Sequence, residues 1–412
     1  MVIPAPEHRT RTRRLSTHGR ELLLGDVPIR LVGYGAYGTL TDPSVDLERL
    51  FSTLRHYGLN LQRTWAVQAG VSHPALPVFE RVGAPPRFDL TALNPDFIDR
   101  LRQACSLAGR NGIVLQITLF APPQCPPDHP DWEEDPWSAA NNLHGSIEPG
   151  RGAPGAHVHE LYYNLPRRPY PGSREVIDPA VYHLQKDFVQ GVVQATAEYW
   201  NVIYEICHEA RCFTGTPEQC ILWHRGVADW IKAVDADLLV SSNTTINPYL
   251  GDPHRITRSE DGVNRLQNID LISLHYHAWR SLGAPTAPVE RWSDTPGFDL
   301  LANNDDRYVA EALSGASDGC GGYFRYNKPV ILDDDGAFGL DETGRAHRDH
   351  NDAVARWAGT AIRSGAHFNH KDDLPAGETV MDYAALAALG AAARPDFPGQ
   401  VHRRADLLTL IR

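Results

Sequence analysis

Carboxylates and imidazoles gather at the ends of apolar runs in this chain. The stretch "NVIYEICHEA" (201–210) opens as a buried strand and finishes on Glu205, His208 and Glu209. The stretch "KPVILDDDGAFG" (328–339) carries Asp333, Asp334 and Asp335, and "DLISLHYHAW" (270–279) carries His275, His277 and Trp279. A fourth run, "GLNLQRTW" (58–65), holds Arg63. Three adjacent aspartates repel one another unless they are solvated, metal-bound or given separate roles. "DDG" is also ordinary turn chemistry. Chemistry is favoured by a second carboxylate, Glu209, at the end of a different strand. Two carboxylates facing each other across a cleft are the equipment of glycoside hydrolysis.

The elements that must position these groups are strands alternating with helices. Apolar, β-branched runs lie at 28–35, 59–65, 112–120, 201–208, 237–243, 270–277, 328–334 and 366–370. Amphipathic segments separate them; "NPDFIDRLRQACSLAGRNG" opens with an Asn cap and a proline suited to the first helical position. Strands that are apolar almost throughout are buried on both faces, as in a parallel sheet covered by helices. About eight such units indicate a (β/α)8 TIM barrel with long βα loops on its C-terminal face. Residues 28–412 are expected to form this single barrel, with residues 1–27 a hairpin or arm closing its bottom. The long connections 121–181 and 278–304 follow strands, which puts them on the face where barrels build their sites. No G-x-G-x-x-G follows a strand, which argues against dinucleotide binding.

Alternation along each strand assigns the side chains. Glu205 and Glu209 share a parity that His208 does not. Glu205 is expected inside the barrel paired with Arg63, a structural role, with Glu209 at the rim. Val330, Leu332 and Asp334 share a parity read here as inward, so Asp333 should pack behind the strand and Asp335 should either support the residues that touch substrate or bind sugar itself. His275 and His277 point into a polar pocket beside Trp279. Aromatic residues of the long third loop, Trp137 among them, serve equally as sugar-stacking platforms or as pins for the loop.

Taken together, "NLQRTW", "YEICHEA", "SLHYHAW" and "PVILDDDG" resemble, in order and spacing, the clan of retaining (β/α)8 glycoside hydrolases that includes the family-five cellulases and mannanases. The resemblance runs from about residue 28 to 390. It implies Glu209 as acid/base, Asp334 as nucleophile, and Arg63, His208, His275, His277, Trp279, Asp335, Asn369, His370 and Trp137 around an oligo- or polysaccharide substrate, with no cofactor. The chain departs from the clan's pattern at His208, Ala210, His277, the "HFNHKDD" end of the eighth strand and, above all, Asp334, where the clan has Glu. An aspartate withdraws the carboxylate by about one C–C bond, ~1.5 Å. Retaining pairs stand about 5–5.5 Å apart and inverting pairs about 6.5–9.5 Å. Retention, inversion and a weakened carbohydrate-binding relative therefore all stay open. A metal-dependent hydrolase is the alternative from another class, since "DDD", "HRDHND" and "HFNHKDD" are rich in ligand atoms.

Composition removes other classes. The 412 residues carry a net charge of −12, which gives nucleic-acid binding no electrostatic support. There is no apolar run of transmembrane length and no apolar signal core at the N-terminus, so a cytoplasmic location is expected, or a secreted one if a signal segment has been lost. The six cysteines include no C-x-x-C pair, so structural zinc is not expected.

Overall fold

The computed structural model describes residues 14–36, 38–67, 75–121, 135–145, 179–208, 217–245, 258–276, 306–315, 322–335 and 357–372. For His275, Asp334 and Asp335 it describes the backbone alone. Three short strands come first: β1 (Leu15–His18), β2 (Glu21–Leu24) and β3 (Val27–Ile29), an antiparallel meander. Eight parallel strands then close into a barrel: β4 (Val32–Ala36), β5 (Leu61–Trp65), β8 (Val114–Phe120), β9 (Val202–Cys207), β10 (Leu239–Thr245), β11 (Leu271–Tyr276), β12 (Val330–Asp335) and β13 (His367–Asp372). Neighbours in the barrel follow chain order, and β13 pairs with β4 to close it. A hairpin, β6 (Phe79–Val82) and β7 (Arg87–Leu93), is inserted after β5. Each of the eight apolar runs singled out in the sequence contributes a barrel strand, and the fold is a (β/α)8 barrel.

Helices form where the sequence signals them. Helix α1 (Leu47–His56) starts at Asp46, whose carboxylate accepts from the Arg49 amide. Helix α2 (Pro95–Arg110) starts at Asn94, whose side chain accepts from the Asp96 amide, with Pro95 in the first turn. It stops at Asn111, and Gly112 turns the chain at a φ of +70°. Helices α3 (Pro179–Thr196) and α4 (Pro217–Val234) flank β9. Among the described residues no helix is long and apolar enough to cross a membrane.

Two apolar layers explain why the strands read as apolar throughout. Outside the sheet, Leu115, Ile117, Tyr204, Ile206, Val330, Leu332 and Phe368 join helix residues such as Phe97, Leu101, Val189 and Ile231 in one core. Inside the lower barrel, Leu61, Val114, Ile203, Leu239, Leu271 and Ile331 pack with Leu15, Leu22, Leu24 and Ile29 of the meander. The meander thus seals the bottom, and each buried Leu or Ile there contributes about 1.5–3 kcal/mol relative to exposure.

Candidate active site

Above this inner apolar layer the barrel interior turns polar. Arg63, Gln116, Thr118, Glu205, Asn243, Ser273 and Asp333 are all fully buried, at 0% exposure. Isolated charges there would be prohibitive, so the groups pair. The Glu205 carboxylate accepts from Arg63 Nη2 (2.5 Å), Gln116 Nε2 (2.5 Å), Thr118 Oγ1 (2.8 Å) and Asn243 Nδ2 (3.4 Å). Asp333 Oδ2 accepts from Ser273 Oγ and, at 3.5 Å, from Asn243 Nδ2, and lies 3.9 Å from Arg63 Nε. Gln116 and Asn243 also donate to Ser273 Oγ, at 3.0 and 3.3 Å. One network therefore ties β5, β8, β9, β10, β11 and β12 together at the waist.

Arg63 is the hub. Its Nη2 lies 3.0 Å from Nδ1 of His208. A guanidinium only donates, so His208 Nδ1 accepts and, in the neutral ring, the proton sits on Nε2. The guanidinium also lies over the Trp65 ring, 4.8 Å from its centroid, and the His208 ring meets Trp65 edge-on at 5.8 Å. Alternation from Glu205 would put His208 on the other face. It reaches Arg63 because β9 ends at Cys207 and His208 lies in a turn. The inward pairing of Arg63 with Glu205 is as the sequence indicates.

The end of β12 differs from the sequence reading. Val330 and Leu332 lie in the outer core, and Ile331 lies in the inner one. Asp333, expected behind the strand, instead faces the interior on Arg63, Ser273 and Asn243. The parity argument for Asp334 as the inward aspartate therefore loses its basis. Asp334 has the register parity of Val330 and Leu332, and Asp335 has that of Asp333. The pairing of β12 with β13 runs without a shift through Asp335↔Lys371.

On β13 the two named residues separate. Asn369 is fully buried, and its Nδ2 lies where a Cβ on Gly35 would meet it at 3.2 Å, beside Arg63 and Trp65. His370 has the parity of Phe368, and its ring packs 6.0 Å from Tyr34 of the outer core. Trp137 is fully buried against Phe79, Phe120 and Phe188, with centroids 5.6, 5.9 and 6.0 Å away. Such enclosure fits a residue that pins the loop, the second of the two roles open to it. His275 has the parity of Ser273 and pairs in register with Asp333. Glu209, His277 and Trp279 lie outside the described residues. Reading the sequence missed Gln116, Asn243, Ser273 and Trp65, although inward parity with Val114, Leu239, Leu271 and Leu61 was the available signal.

Among the described residues no group of three or more His, Cys, Asp or Glu side chains could hold a metal ion. No protein-family model and no curated protein matches the chain by sequence. Solved structures do match the fold. An endo-1,4-β-mannanase from Rhizomucor miehei superposes with a TM-score of 0.60 at 14% identity, over 92% of this chain and 98% of that one. A hyperthermostable endo-1,4-β-D-mannanase from Thermotoga petrophila gives 0.55 at 16% identity, over 88% and 99%. A glycoside hydrolase family 5 enzyme from Prevotella bryantii gives 0.51 at 11% identity, over 88% and 95%.

Proposed function

We propose that the chain is a glycosidase acting on oligo- or polysaccharides, with Glu209 and an aspartate at the end of β12 as its two carboxylates. The observation that carries this reading is the Arg63 hub. Arg63 sits on Glu205 of β9 and beside Asp333 of β12; in sequence Glu209 comes two residues after β9, and Asp334 and Asp335 are the last two residues of β12. A cation held rigidly beneath two carboxylate-bearing strand ends fits a reaction that needs one carboxylate ionised and the other protonated. The near end-to-end likeness to solved mannanase barrels supports the same chemistry and makes β-mannans the first substrates to try.

In the proposed reaction Glu209 gives its proton to the glycosidic oxygen as the bond to the anomeric carbon breaks. The β12 carboxylate bonds to that carbon. Glu209, now ionised, takes a proton from water, whose oxygen displaces the carboxylate and frees the sugar. Spacing from Pro329 favours Asp334 as the nucleophile, and register with Asp333 favours Asp335.

The test is turnover on a panel of aryl glycosides and polysaccharides, with and without chelator. Glu209→Gln should abolish cleavage of unactivated substrates while an activated aryl glycoside loses less. Near wild-type cleavage of a polysaccharide by Glu209→Gln sinks the assignment, and loss of all activity on chelation sinks the two-carboxylate reading. A slow fluorinated glycoside should add one glycosyl mass, and peptide mapping then chooses between Asp334 and Asp335. An inverted anomeric product recasts that aspartate as the base activating water.

A further inference from the structure

One aromatic ring touches both Arg63 and His208. Trp65 shares the inward parity of Leu61 and Arg63 on β5 and is buried. The Arg63 guanidinium lies 4.8 Å from its centroid, and the His208 ring meets it edge-on, with 85° between the planes. Other arginines set over rings, Arg20 on Phe324 and Arg81 on Phe88, are exposed. Arg63 is fully buried, and a desolvated cation gains most from a ring face.

The geometry says what the ring adds. The contacts of Arg63 with Glu205 Oε1 and His208 Nδ1 both use Nη2. Contacts at one nitrogen fix where that nitrogen lies, and a contact across the face fixes the plane. The plane matters because Nε, 3.9 Å from Asp333 Oδ2, turns with it. With it turns the direction in which the cation faces the end of β12. The same indole braces the His208 ring while Nδ1 of that ring accepts from Arg63. The His208 amide donates to the Phe120 carbonyl at 2.7 Å, so the turn that carries the imidazole is fastened to β8.

We infer that Trp65 is a positioning residue: its indole sets the plane of the Arg63 guanidinium and the seat of the His208 imidazole, and through them the field at the reacting carboxylate of β12. This inference rests on the glycosidase reading. A residue of this kind acts on the rate of the bond-breaking step more than on substrate affinity, and a non-aromatic side chain of similar bulk cannot replace it.

Trp65→Leu, Trp65→Phe and a cut in the outer core, Phe97→Leu, test this. On the aryl glycoside that the wild type turns over, Trp65→Leu should lower kcat about tenfold or more, within the worth of a desolvated cation–π contact. KM should change less than about threefold. Trp65→Phe, which keeps a ring face, should recover most of kcat. Phe97→Leu should leave kcat at the wild-type level while lowering the urea midpoint. Imidazole nitrogen NMR of histidine-labelled protein, with His208 assigned through His208→Gln, gives a readout that needs no turnover. Wild-type His208 should show one protonated and one accepting nitrogen. Trp65→Leu should draw the two signals towards a common average, and Phe97→Leu should not. If Trp65→Leu does not fold, Trp65→Met takes its place. The inference is overturned by an unchanged kcat, by unchanged His208 signals, by equal effects from Phe97→Leu, by no recovery in Trp65→Phe, or by failure of both non-aromatic variants to fold. If the wild type cleaves no glycoside, the hydrolase reading falls and the nitrogen signals decide alone. Averaging in the non-aromatic variant then upholds the role of the ring in seating the pair, and unchanged signals overturn it.

Discussion

The waist of the barrel has two unlike sides. From β5 through β12, six strands each place a polar or charged side chain in a single buried network centred on Arg63, Glu205 and Asp333. At the waist β13 and β4 place Asn369, whose amide has no hydrogen-bond partner among the described residues, and two glycines. On the first side each carboxylate accepts from two or more donors, and Arg63 is held by Glu205, His208 and the Trp65 ring. On the second side His367 accepts from the Leu31 amide one step below Asn369, and Gly33 and Gly35 bring no side chain. The difference separates strands tied together through charge from strands that meet at the waist with little side chain.

The largest test of the first side removes its main acceptor. Glu205→Ala leaves Arg63 buried with its principal partner gone and should cost about 3–5 kcal/mol by urea denaturation. Equal losses from Glu205→Ala and Asn369→Ala would erase the distinction between the sides.

The outer shell contains a buried titratable group, His224, to set beside this network. His224 is pushed down to about 4 by burial, against a backbone hydrogen bond to Cys220 that opposes the shift. Its folded pKa lies below its unfolded value, so as pH falls the unfolded chain takes up the proton first. The contribution is complete above about pH 6.5 and is lost as pH falls towards 4. That is about 3 kcal/mol at ~1.4 kcal/mol per unit. His224→Gln should flatten the decline in stability over this window; a slope identical to wild type refutes the buried neutral imidazole.

Ser273→Ala is a gentler cut. Asp333 loses a donor while keeping Asn243 and the nearby Arg63, and a loss of about 2 kcal/mol is expected by thermal melt. Ser273→Thr, which keeps the hydroxyl, should recover part of it, and no recovery would mean that packing alone is responsible.

The glycine side ends the series, and its two positions should differ. A Cβ on Gly33 would lie 2.6 Å from both Cβ and the carbonyl oxygen of Leu61, whereas on Gly35 it would meet Asn369 Nδ2 at 3.2 Å. Gly33→Ala should cost about 1–3 kcal/mol through overpacking against backbone. Gly35→Ala should cost less than about 1 kcal/mol, because a side-chain amide can give way. Denaturation midpoints in the opposite order would show that Asn369 is locked in place by the fold.

Much of the architecture is legible in the sequence because its signals are local. The Asn94–Pro95 cap marks a helix start, and eight β-branched runs mark the strands. The Arg63–Glu205 pair is legible too, since a buried cation and a buried anion on inward positions of a closed barrel must find each other.

The parity of β12 is not legible in this way. Val330, Ile331 and Leu332 are apolar on both faces because one face meets the helices and the other meets the plugged barrel floor. With no polar face to orient the strand, alternation says only that Asp333 and Asp334 point opposite ways. Which one enters the barrel was decided by the tertiary partners Arg63, Ser273 and Asn243. The same holds for Trp137, which any aromatic-rich loop could have presented to a sugar and which Phe79, Phe120 and Phe188 enclose instead. It holds as well for His208, whose place beside Arg63 depends on where β9 stops. The sequence by itself determined the barrel, the Asn94–Pro95 helix cap and the central ion pair. Contacts between residues distant in the chain decided which strand-end side chains face the interior, because both faces of these strands are buried and only packing distinguishes them.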